Sequence, residues 1–234
     1  MTNMTSTDQT TKDFEQRIDQ AVAQLENSGK MEQALSAYKE IERGLLETEM
    51  TPDMECERQR VLAYCYMRQA NLYRQIGKGK KAEEATVKEV AAAKESGDQV
   101  SYGRSLLSDA ANKFRHGMGT KGIHLLDMAE EVFNQGESAE HKQGLGWAYI
   151  LRADLMESRL MPGTDDDIIQ FASVAIDVLE PIKNYPGLVR AHSVRARAYE
   201  RLGKLDNQQA DDQKADEYRK AQLETVTESS DVNG

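Results

Sequence analysis

The chain has 234 residues, 30% of them charged and 6% aromatic, with four prolines and a formal net charge of −10. That balance excludes a uniformly basic footprint for DNA or RNA and a polybasic membrane-surface patch. It favours helices over sheets, which draw on more aromatic and β-branched residues.

In chain order, helix start and stop signals recur at a regular rhythm. Residues 1–12 are Thr-rich and polar, without the apolar core of a signal peptide, and no stretch approaches the roughly 18 apolar residues of a membrane span. The expected location is therefore cytoplasmic. Asp13 to Ser28 is periodic and stops at Gly29; Glu32 to Leu46 follows. Thr51-Pro52 reads as an N-cap with proline at the first helical position, opening a helix that runs to Ile76. Lys80 to Ser96 returns and ends at Gly97, and Asp98 is placed to cap the next helix, which reaches about His116. Thr120 is expected to cap a helix ending at Gly136, and Ser138 one reaching Leu160. Thr164 with Asp167 three residues on predicts a capping box. Leu188 to Leu202 and Asp206 to Leu223 complete ten helices in five pairs. Residues 1–12 and 224–234 are expected to be disordered tails around a repeat domain, 13–223.

The pairs repeat. Ala70-Asn71-Leu72-Tyr73, Ala111-Asn112-Lys113-Phe114, Ala153-Asp154-Leu155-Met156 and Ala196-Arg197-Ala198-Tyr199 align, with alanines 41, 42 and 43 residues apart. A small residue lets the two helices of a hairpin approach closely, and a large one three positions later lies on the same face and fills the gap. Return helices supply partners at helical spacing: Ala34, Tyr38 and Ile41; Gly122, Leu126 and Ala129; Ala172, Ile176 and Leu179. Cys56 and Cys65, nine residues apart on one helix, point to opposite sides and lie too far apart to bridge. One is expected in the core and one on the surface.

The small residue, the aromatic three on, the glycine turn and the alanine of the return helix resemble the tetratricopeptide repeat. The 41–43 spacing is similar to the long-period repeats of kinesin light chains, polarity adaptors and bacterial regulators. The resemblance implies an all-α, right-handed α-solenoid of about five antiparallel helical hairpins whose first helices line a concave groove. It also implies the groove residues: Tyr64, Met67, Asn71 and Arg74 from the second hairpin; Ser108, Asn112 and Arg115 from the third; Trp147 and Asp154 from the fourth; Arg190 and Arg197 from the fifth. Asparagine there would grip a ligand's backbone by donating and accepting together. Its bland counterpart is a solvated helix-surface residue.

Arg74, Arg115, Arg190 and Arg197 suggest a positive stripe for an acidic peptide or a C-terminal carboxylate, against the alternative of ordinary salt bridges with Asp154 and other carboxylates. No catalytic, metal or cofactor constellation emerges. His116 and His124 lack a third ligand, and Asp165-Asp166-Asp167 lacks the glycine and distal Glu of a calcium loop. The expected function is a non-catalytic adaptor for a protein or peptide, with no nucleic acid and no membrane. The alternatives are a peptide-responsive sensor and a self-assembling repeat protein.

Overall fold

The computed structural model describes residues 6–231 and is all-α, with no strand among them. Its helices are α1 (Ser6–Ala21), α2 (Met31–Glu47), α3 (Glu55–Gln75), α4 (Gly79–Ser96), α5 (Gln99–Arg115), α6 (Gly119–Asn134), α7 (Ala139–Glu157), α8 (Asp165–Leu179), α9 (Tyr185–Arg201) and α10 (Leu205–Asp231). A short π-helical turn, Val22–Glu26, prolongs α1, and a 3-10 turn, Pro52–Met54, leads into α3. Helix extends into both segments expected to be tails, from Ser6 and as far as Asp231. Residues 1–5 and 232–234 lie outside the described residues.

Local chemistry accounts for most boundaries. Thr164 and Asp167 form the expected capping box, the threonine oxygen accepting from the Asp167 amide and the carboxylate accepting from the Thr164 amide. Ser138 caps α7 through the His141 amide. Thr51 is the N-cap of the 3-10 turn with Pro52 at its first position, as expected, without a side-chain cap bond. Two helix starts differ from expectation, and in α6 the N-cap is Met118, not Thr120. The α9 helix begins three residues early, because Asn184 caps it through the Gly187 amide and Pro186 fits its first turn. Gly97 turns the chain between α4 and α5 at φ 71°, a left-handed conformation that costs glycine no Cβ clash.

The chain divides into two compact units, Met1–Asp109 and Ala110–Gly234, the division falling within α5. In the first unit α2 packs against both α1 and α3, α3 pairs with α4, and the first helices α1 and α3 also touch. Phe14, Ile18, Tyr38, Ile41, Leu45, Leu62 and Leu72 form its core. In the second unit each helix from α6 to α10 packs on the next, and α7 also meets α9. All nine partners expected on the return helices are buried. Close approach is real there: a Cβ on Gly144 would stand 2.1 Å from the Phe133 ring.

Ala70, Ala153 and Ala196 are buried, as the repeat requires, but in α5 the inward alanine is Ala110. Ala111 is only partly buried. The inward small residue of α5 thus lies one position earlier, while Phe114 is buried where the repeat places it. Phe114, one turn beyond Ala110, lies where a Cβ on Gly122 would come within 2.6 Å of its ring. Cys65 is buried and Cys56 exposed.

Candidate functional site

In the first unit, α1, α3, α4 and α5 enclose a cleft of about 330 Å³. Its lining residues are Glu15 and Asp19 from α1; Arg60, Ala63, Tyr64 and Met67 from α3; Glu89 from α4; and Ser101 and Arg104 from α5. Tyr64 and Met67 belong to the expected groove set, and both are partly buried.

The charges in the cleft are unevenly matched. Arg60 forks onto Glu15, at 3.0 and 3.1 Å, and onto Glu57, at 2.7 and 2.9 Å. Two carboxylates are held differently. Asp19 accepts from the Tyr64 hydroxyl at 3.1 Å, and Glu89 accepts from the Ser108 hydroxyl at 3.1 Å. Among the described residues Ser108 is the one group that donates to Glu89, which is only 2% exposed. Burial pushes the Glu89 carboxyl up to about 8, with Asp109 adding to the rise, while the Ser108 bond and the Arg74 charge oppose it. Burial also raises the Tyr64 phenol, and the neighbouring Asp19 charge adds to it.

Behind the cleft a polar network fixes these groups. Arg74 donates to Asn71 Oδ1 at 2.6 Å and to the hydroxyls of Thr86 and Ser108, both at 2.9 Å. The Thr86 hydroxyl in turn donates to the Ala82 carbonyl at 2.9 Å. Arg74 thus joins Asn71 to Ser108, and Ser108 carries the network on to Glu89.

The second unit treats its expected site residues likewise. Arg190 forks onto Asp154, at 2.8 and 3.1 Å, and Arg197 onto Glu157, at 2.6 and 2.8 Å. Trp147 is partly buried against the core cluster that includes Ile150 and Leu179. Asn112 is 3% exposed, and its side-chain nitrogen has no hydrogen-bond partner. Arg115 is exposed at the end of α5. Three of the four arginines expected to form a positive stripe thus have internal partners.

Glu89 was not a sequence-level candidate, although the signal was there. Buried positions of α4 are Ala82, Ala85, Thr86, Glu89, Ala92, Ala93 and Ser96, a three-and-four spacing of small residues interrupted by one carboxylate. A carboxyl protonated near neutrality is also suited to proton transfer. Here no histidine or cysteine lines the cleft, and Ser101 is engaged by Asp98, the residue capping α5.

Comparison with solved structures places the architecture. The chain superposes on BtubC (BKLC) from P. vanneervenii with a TM-score of 0.62 at 15% identity, covering 94% of this chain and 93% of that one. It superposes on the TPR-like repeats of a putative kinesin light chain from Podosopora anserina with a TM-score of 0.53 at 14% identity, covering 89% and 96%. The fold is that of the tetratricopeptide-type repeat proteins. The apo form of RapI shares this TPR-like fold at a TM-score of 0.51 and 11% identity, over 90% of this chain and 66% of that one. No family model and no curated protein matches the sequence.

Proposed function

We propose that the chain is a non-catalytic protein-interaction scaffold that receives a segment of a partner protein along the first helices of its hairpins. The observation that carries this reading is the cleft on α1, α3 and α5, the first helices of three successive hairpins, with Tyr64 and Met67 as its large side chains. Anchors of this kind have to supply most of the affinity. An exposed ion pair contributes roughly 0–1 kcal/mol, whereas micromolar binding requires about 8 kcal/mol. The TPR-like fold is consistent with such a role but is a fold-level analogy, so the cleft bears the weight.

The net charge of −10 favours a protein partner over nucleic acid or an anionic membrane. No helix among the described residues is long and apolar enough to cross a membrane. A cytoplasmic location belongs to the same reading. An acidic partner segment finds less support, because Arg74, Arg190 and Arg197 already hold internal acceptors.

The test is binding of peptides selected against the full chain from a random display library. Tyr64→Ala combined with Met67→Ala is expected to weaken them at least about tenfold, since each truncation removes an anchor worth more than about 1 kcal/mol. Unchanged affinity in a folded double variant overturns the reading.

A further inference from the structure

Two buried tyrosines of α3, Tyr66 and Tyr73, stand seven residues apart, a spacing that brings them to one face of the helix. Both have lysines over their rings, but the charges are balanced differently. Over Tyr66 stands Lys88 at 5.2 Å, and Lys88 pairs with Glu42 of α2 at 2.8 Å. Over Tyr73 stand two lysines, Lys39 of α2 and Lys81 of α4, each 5.9 Å from the ring centre. Both are exposed, and among the described residues neither forms a salt bridge.

The carboxylate that feels them is Glu32, in the first turn of α2, and it already accepts from Lys78 at 2.8 Å. The Lys78 bond and charge hold the Glu32 carboxyl below its ordinary value against some desolvation, and Lys39 and Lys81 add to the effect. Three lysines thus surround one acid. Other acids close in sequence line different grooves: Glu40 one with Arg17 and Gln20, Glu83 and Glu84 one with Lys80 and Val87.

An aromatic face attracts a cation, and a buried ring is a fixed support for it. Binding to a free lysine costs the entropy of ordering its stem; over Tyr73 the fold has done part of that ordering in advance. The net charge of −10 makes a locally positive surface an exception on this chain. It also opposes any polyanion that spreads beyond the patch, as nucleic acid or an anionic membrane would. A short acidic stretch of polypeptide meets the lysines without that penalty.

We propose that Lys39, Lys78 and Lys81, gathered around Tyr73, form a docking surface for a run of aspartate or glutamate side chains of a partner protein. Its carboxylates do for Lys39 and Lys81 at Tyr73 what Glu42 does for Lys88 at Tyr66. The surface is distinct from the cleft. Tyr64 lies two residues from Tyr66, about 200° around α3, and none of the three lysines lines the cleft. Nor does it use the arginines Arg74, Arg190 and Arg197, which hold internal acceptors.

The experiment measures binding of a fluorescein-labelled oligoglutamate peptide to the full chain by anisotropy at low salt. An exposed ion pair changes affinity by at most about fivefold, so Lys39→Glu combined with Lys81→Glu is expected to weaken binding at least about fivefold. Lys39→Gln with Lys81→Gln, which adds no repulsion, should show a smaller loss in the same direction and serves if the reversal perturbs folding. The control reverses two exposed lysines elsewhere, Lys94→Glu with Lys121→Glu, and reaches the same net charge; a loss below about twofold is expected there. Added salt should weaken wild-type binding steeply, because exposed charges are screened. No binding by the wild type, or equal losses in the two reversed variants, overturns the proposal. So does preferential retention of duplex DNA or phosphatidylserine vesicles over the peptide. The cleft reading is untouched by any of these results, since its test varies Tyr64 and Met67.

Discussion

Glu89→Gln is expected to make the unliganded protein more stable at about pH 8 by on the order of 4 kcal/mol. Glu89 is 2% exposed, and burial lifts its folded carboxyl from an ordinary value of 4.5 to about 8. Because the folded value lies above the unfolded one, folding favours the protonated acid. The contribution of this group is fully present below about pH 4.5 and is lost as pH rises toward about 8, at roughly 1.4 kcal/mol per unit. Glutamine keeps the size and the capacity to accept from Ser108 but has no proton to lose. The stability difference between variant and wild type should therefore be small near pH 4.5, grow steadily to about pH 8 and then flatten. Urea unfolding midpoints across that range measure it. A difference that does not change with pH would show that Glu89 is not desolvated as described.

The opposite sign is expected in the second unit. Asp211→Ala should cost about 3–5 kcal/mol. Asp211 is 4% exposed and joins three helices: it accepts from Arg195 at 2.7 and 2.8 Å and meets His192 Nδ1 at 2.8 Å, while Arg195 also donates to Ser173 at 2.8 Å. Burial alone would raise this carboxyl, but the bonds from Arg195 and His192 outweigh it and hold the group below its ordinary value. Its contribution is thus present above the ordinary carboxyl range and is lost as pH falls through the lowered value, so the cost of the substitution should shrink in acid. Removing the acid strands a guanidinium and a buried imidazole together. Denaturant unfolding at neutral pH reads the loss directly, and a cost below about 1 kcal/mol would refute the arrangement.

These two groups also mark the limit of what the sequence discloses. Helix positions were legible because caps and glycines act locally: Thr164, Ser138 and Gly97 do in the structure what their neighbours predict. The packing alanines Ala70, Ala153 and Ala196 were legible from the repeat alignment. Ala111 misled because two alanines adjoin, and alignment alone does not say which of them is buried, which is Ala110. Periodicity names a face, but not the partner across it. Asp154 and Arg190 were both placed among the groove residues, with a salt bridge to Asp154 as the alternative, and they meet each other across two helices 36 residues apart in sequence. Asp211 was hidden in the mostly polar last helix, α10. Its inner face is visible only through the spacing of Asp211, Ala215 and Tyr218, where the Tyr218 ring stacks on Tyr185 and lies tilted against His192. Glu89 and Asp211 are charged residues on inner helical faces, and a reading that sends every charge to solvent passes over both.

The central claim is that a partner segment lies on the first helices, over the cleft at Tyr64. It is tested most directly by placing the photo-crosslinking residue p-benzoylphenylalanine at Tyr64 in one sample and at Val87, an exposed position of the return helix α4, in another. Each is irradiated with a library-selected peptide, and the products are mapped by mass spectrometry. A covalent adduct formed from position 64 and absent from position 87 is the predicted result. An adduct at position 87 with none at position 64 would contradict it.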